Sequence, residues 1–174
     1  MTLLEEVATA LRAGGVPFAL IGAAALAAHG IGRSSLDIDL LVTDPGVLEL
    51  RFWSVLREKD VAVDVRRGAS DDPLAGVVRF GDGVQPVDVI VGRHSWQRDA
   101  IVRAQKVRLG SFEVPVVAAA DLILLKLYAG GPQDETDIRL LLATPAGMAV
   151  RETVDTAVSS LPHDARALWA RLRG

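Results

Sequence analysis

Residues 36–40 read Leu-Asp-Ile-Asp-Leu. Strict alternation of apolar and acidic residues predicts a strand with one buried face and one polar face. On such a strand Asp37 and Asp39 share a face, about 7 Å apart at the usual rise per residue. The fold must therefore contain a sheet that tolerates two like charges side by side, which excludes an all-helical chain.

The neighbouring segments predict what surrounds that strand. Thr2 and Glu5 form a capping box ahead of Leu3, Leu4, Val7, Ala10 and Leu11, a helical face that ends at Gly14-Gly15. Phe18–Ile21 reads as a short buried strand, and Gly22 opens an Ala-rich helix to His29. Asp44-Pro45-Gly46 predicts a further helix running to about Lys59. Val61–Val65, Gly76–Phe80 and Val84–Val91 read as strands, the last two joined at the Gly81-Asp82-Gly83 turn. Ser95–Ala104 reads as a helix. Val107–Leu109 and Phe112–Val116 flank a Gly110-Ser111 turn. From Ala118 onward the pattern is helical, interrupted at Gly130-Gly131-Pro132. The expectation is an α+β (α/β) fold, a mixed β-sheet flanked by helices, with residues 1–117 as the core and 118–174 as a C-terminal helical lobe in one compact unit.

Composition narrows the function classes. The chain has 174 residues, no cysteine and a net charge of −3, so thiol catalysis, disulfide scaffolds and cysteine zinc sites are excluded. A protein that coats nucleic acid is usually basic. The most apolar stretch, Val16–Ala28, has 13 residues, short of the roughly 20 that span a bilayer. No basic region precedes an apolar run at the N-terminus. A cytoplasmic protein without a membrane partner is expected.

Two carboxylates on one strand face repel each other, and hard oxygen ligands of this kind suit Mg²⁺ or Mn²⁺. A third carboxylate from a neighbouring strand would complete a two-metal site for phosphoryl or nucleotidyl transfer. Asp88, Asp64 and Asp82 compete for that place. Asp82 lies between turn glycines, where turn chemistry accounts for it, while Asp64 and Asp88 both lie on strand-like segments, Asp88 in the one that follows the turn. Gly22, at a strand-to-helix turn, lets backbone N–H groups approach an anion.

Gly22-Ala23, then Asp37-Ile38-Asp39, then Asp88, in this order, resembles the signature of DNA polymerase β-type nucleotidyltransferases. The strings LIGAAALAAHG (residues 20–30), RSSLDIDL (33–40) and KLYAGGPQDETDIRL (126–140) are most similar to the AbiEii-like branch, which includes type IV toxin nucleotidyltransferases. The resemblance covers about residues 15–43, 86–91 and 118–142. It implies that Asp37, Asp39 and Asp88 are catalytic and bind Mg²⁺ or Mn²⁺, with Asp88 helping to deprotonate an acceptor hydroxyl. It implies that Gly22, Ala23, Arg33, Ser35, Lys126 and Asp137 bind an NTP. The implied reaction moves an NMP onto a hydroxyl of tRNA, a protein or a small molecule. A toxin-type role would add a cognate antitoxin as partner. Ala23 departs from the Gly or Ser usual at its position, and the alternative is a catalytically silent nucleotide-binding or interaction module with the same fold.

Other residues carry competing readings. His29, just before Gly30, suits a helix C-terminus, with nucleotide contact as the alternative. Asp134 suits a helix start. Lys126 sits among leucines, where it would either snorkel to solvent or face a triphosphate. Arg93, Arg98, Arg103, Lys106 and Arg108 surround Trp96, a pattern shared by solvated helices and by surfaces that stack a nucleic-acid base.

Overall fold

In the computed structural model, which describes residues 1–32, 37–81 and 85–174, seven strands make one mixed sheet. They are β1 (Ala19–Ile21), β2 (Ile38–Val42), β3 (Val63–Arg67), β4 (Leu74–Phe80), β5 (Val87–Gly92), β6 (Gln105–Leu109) and β7 (Phe112–Val116). Their order across the sheet is β3-β4-β5-β2-β1-β7-β6. The β2/β5 and β1/β7 pairs are parallel, and the other four are antiparallel.

One sheet face supplies much of the core. Phe80, Val78, Val87, Val89, Val91, Leu40, Val42 and Leu20 are fully buried, as alternate residues of strands that pack against helices should be. Helix α1 (Leu3–Ala13) buries Leu4, Val7, Ala8 and Leu11. Its first turn is closed reciprocally: Glu5 N–H donates to Thr2 Oγ1 at 3.3 Å, and Thr2 N–H donates to Glu5 Oε2 at 2.8 Å. Helix α2 (Gly22–Ala28) follows β1 directly.

The helix expected from Asp44 to Lys59 is instead three short pieces. Two 3₁₀ turns, Pro45–Leu48 and Leu50–Trp53, lead into α3 (Ser54–Arg57). Glu49 breaks the run in an extended conformation (φ −87°, ψ 122°). Burial of Trp53 explains the break. Its indole N–H needs an acceptor when desolvated and donates to the Val47 carbonyl at 2.6 Å. In a continuous helix that carbonyl would serve Arg51. Trp53 then packs edge-on against Phe52 and Phe80, with ring centroids 4.7 and 4.6 Å apart.

Beyond β5, α4 spans Ser95–Val102. After β7 the chain is helical: α5 (Ala119–Ala129), α6 (Pro132–Leu142), α7 (Gly147–Ala157) and α8 (His163–Leu172). Gly130 caps α5 with φ +68°, and Pro132 starts α6, the asymmetry expected of helix ends. Buried side chains from Leu4 through Leu172 form one hydrophobic cluster. Among the described residues, no helix is long and apolar enough to cross a membrane.

Candidate active site

The sheet's register places the acids. Asp39 on β2 lies directly beside Asp88 on β5. Asp88 faces Arg79 on β4, and Arg79 faces Asp64 on β3. Residues directly across from one another share a face, so Asp39, Asp88, Arg79 and Asp64 form one polar row opposite the buried valines. Asp37 immediately precedes β2 as described from Ile38, the expected start at Leu36 lying outside the described residues, and its side chain is exposed. Asp64 is two strands away from Asp88 and accepts from Arg66 Nε at 2.9 Å. The acid adjacent to Asp39 is therefore Asp88.

Crowding shows in the titration of these groups. Burial, followed by the charges of Asp88 and Asp37, pushes the Asp39 carboxyl up from the ordinary 3.8 to about 6, although Lys126 and Arg79 pull it back. Burial also raises Asp88, against the pull of Arg79. Asp88 Oδ1 is buried and makes no hydrogen bond. Such an atom normally has a partner.

These features suit a hard divalent cation. Asp39 and Asp88 offer desolvated carboxylate oxygens whose mutual repulsion a cation would relieve, and Asp37 stands at the mouth of the row. Among the described residues, no three His, Asp or Glu side chains have the spacing of a formed metal site. Arg79 fills part of the charge deficit instead: its Nε is 3.7 Å from Asp88 Oδ1, and its Nη2 is 3.9 Å from Asp37 Oδ1.

Gly22 opens α2 with φ +64°, a conformation that glycine adopts without strain. A Cβ there would collide with Asp39 Oδ2, so the turn and the carboxylate are packed against each other. Ala23 follows in the first turn of α2, half-buried. Gly22→Ala is expected to cost about 1–2 kcal/mol from its left-handed backbone alone. It should also displace the Asp39 carboxylate. Calorimetry should show Tm falling by roughly 2–8 °C, and an unchanged Tm would refute the close approach.

Lys126 does not snorkel. Its Nζ lies 2.6 Å from Asp137 Oδ2 and 3.1 Å from Asp134 Oδ1, with Lys126 and Asp137 both buried. Asp134 also accepts from the Gly131 N–H at 3.1 Å, so it acts at the helix start as its position suggests. Lys126 still lies close enough to Asp39 to lower its pKa. Thus α5 brings one cation to both α6 and the acidic row. Arg33 and Ser35 lie outside the described residues, as does Asp82.

Two other open readings are narrowed. His29 is the C-cap of α2, as its position suggests, while its ring Nε2 bonds the Val117 carbonyl at 2.8 Å and ties the end of α2 to the chain just before α5. The basic stretch around Trp96 offers no stacking surface, because Trp96 is buried edge-on to Tyr128 with centroids 5.4 Å apart. Arg103 is committed to Asp121 at 2.7 and 3.2 Å, and Arg93 donates to the Ala69 carbonyl at 2.5 Å.

Arg79 is the residue that sequence reasoning passed over. It lies two residues before Gly81, whereas Asp88 lies five after Gly83, so a tight hairpin drawn through that turn would not have paired them; the observed register does.

Solved structures share this architecture. The antibiotic-resistance factor ANT(2'')-Ia in solution aligns at 16% identity with a TM-score of 0.50, over 98% of this chain and 89% of that one. Its crystal structure in complex with adenylyl-2''-tobramycin aligns at 16% identity and a TM-score of 0.50, over 98% and 95%. A Thermotoga maritima protein assigned as a nucleotidyltransferase aligns at 16% identity and a TM-score of 0.55, over 80% and 90%. The mixed α/β fold of this chain is thus that of nucleotidyltransferases. No family model matches the chain, and no curated protein matches it in sequence.

Proposed function

We propose that this chain is a metal-dependent nucleotidyltransferase that moves an NMP from an NTP to an acceptor hydroxyl. The observation that carries the reading is Asp39 lying beside Asp88 in register, with the Gly22 turn packed on the Asp39 carboxylate. A nucleotidyltransferase fold built around that pair supports it further, as does the adenylylated small molecule held by ANT(2'')-Ia.

In this reading Asp37, Asp39 and Asp88 hold Mg²⁺ or Mn²⁺, which supplies charge neutralisation at the triphosphate. Asp88 accepts the proton of the acceptor hydroxyl, whose oxygen bonds to the α-phosphorus as the bond to the leaving pyrophosphate breaks. Backbone N–H groups at Gly22 and Ala23 meet the triphosphate, and Arg33 and Ser35 extend that contact. Lys126, fixed by Asp137, supports Asp39 from α5. The protein works by positioning and electrostatics, as phosphoryl-transfer enzymes do.

The resemblance of the Lys126–Leu140 string to the AbiEii-like branch supports a reading within that branch. That reading brings tRNA or protein acceptors, a cytoplasmic toxin-type role and a cognate antitoxin into the same proposal. The test is transfer from each α-labelled NTP, with Mg²⁺ or Mn²⁺, to total tRNA, lysate protein or small molecules. Label on one acceptor class, dependent on the metal, is the expected result. Nucleotide binding without transfer would make the chain a silent module. Absence of binding would overturn both readings.

A further inference from the structure

We infer that Arg79 is a resident counter-ion of this site, competing with a divalent cation for Asp88 and Asp37. The inference rests on the proposed nucleotidyl transfer and adds a residue outside its signature. Register fixes Arg79 opposite Asp88 on one side and Asp64 on the other. Its guanidinium reaches both Asp88 and Asp37, but at 3.7 and 3.9 Å, beyond hydrogen-bond distance.

The same chain builds a tight fork elsewhere. Arg103 bonds both oxygens of Asp121 at 2.7 and 3.2 Å. At Asp88 the guanidinium makes no such fork and leaves Oδ1 without a hydrogen bond. A structural ion pair would close that gap. A loose cation with a half-exposed side chain, 45% accessible, can leave when a stronger one arrives. Asp64, opposite it on β3, offers a second carboxylate toward which it can swing, although Arg66 already bonds that acid.

The competition has a defined consequence. Arg79 already stands 3.7 Å from Asp88 and 3.9 Å from Asp37. Alone, the acids therefore hold a divalent cation weakly. The charge of a triphosphate compensates, and the displaced guanidinium becomes available to it. Cation and nucleotide then bind together more tightly than either binds alone.

Mn²⁺ titration followed by electron paramagnetic resonance tests this without turnover. Arg79→Gln should bind Mn²⁺ about tenfold more tightly than the parent protein when nucleotide is absent, the size expected for removing one like charge several ångströms away. Arg79→Lys should stay within about twofold, because its charge is kept. With a non-hydrolysable NTP analogue, the parent and Arg79→Gln should converge. Equal or weaker Mn²⁺ binding by Arg79→Gln would overturn the inference and leave the proposed activity standing. Tighter binding that survives Asp39→Asn would also overturn it, since the ion would lie elsewhere. If no form binds Mn²⁺ even with the analogue, both the inference and the metal-dependent reading fall.

Discussion

Asp39→Asn is expected to abolish nucleotidyl transfer and, in the metal-free protein, to raise stability. The two effects have one origin. Burial and two neighbouring acids hold the Asp39 carboxyl at about 6 against an ordinary 3.8. Its ionised form is therefore disfavoured in the folded state relative to the unfolded chain. Below pH 4 both states are protonated, and the group contributes nothing. Between pH 4 and pH 6 the unfolded chain releases the proton while the folded one retains it, so stability falls as pH rises. Above pH 6 the penalty is constant, on the order of 2–3 kcal/mol.

Asparagine carries no such penalty. The variant should melt about 5–10 °C above the parent at pH 7.5, with the gap closing toward pH 4. Transfer should fall about 10³-fold or more, as it does when a charge-stabilising group is removed from a dry site. Retained transfer would remove Asp39 from the chemistry. A lower Tm at neutral pH would show that its carboxylate is stabilising rather than strained. Added Mg²⁺ should narrow the Tm gap, because the cation stabilises only the parent's folded state.

The strained pair was legible before any coordinates because its causes are local. Alternation through Leu40 set Asp39 on the polar face, and the glycine at position 22 marked where backbone comes close. Both are short-range signals. The parallel pairing of β5 with β2 puts Asp88, and not Asp64, beside Asp39. Arg79 was missed because its role depends on cross-strand register, which slips with every residue of loop length. The 45–57 segment was misread for the opposite reason. Its Pro-initiated pattern is a sound helix signal, but a single buried indole at Trp53 took a carbonyl the helix needed, and tertiary packing outweighed propensity. The stacking alternative at Trp96 stayed open because nothing in the local sequence shows Tyr128 closing over it.

Lys126→Met should produce the largest loss of stability among the site residues. Asp137 is buried with Lys126 Nζ at 2.6 Å, and α5 and α6 meet across that pair. Methionine fills the aliphatic volume but takes the nearest cation away from a desolvated carboxylate, at a cost of roughly 3–5 kcal/mol. In a chain of this size that is a fall in Tm on the order of 10 °C. Asp134, more exposed, can stay solvated. The double variant Lys126→Met/Asp137→Leu should recover most of the loss, because replacing both members of a buried pair by apolar groups removes the desolvation penalty together with the attraction. If Lys126 served only as a nucleotide contact, the single variant would melt like the parent and lose NTP affinity instead. The geometry supports a lysine committed first to α6 and only through that to Asp39. The double variant should therefore be folded yet impaired in transfer, since Asp39 would have lost a cation that opposes its raised pKa.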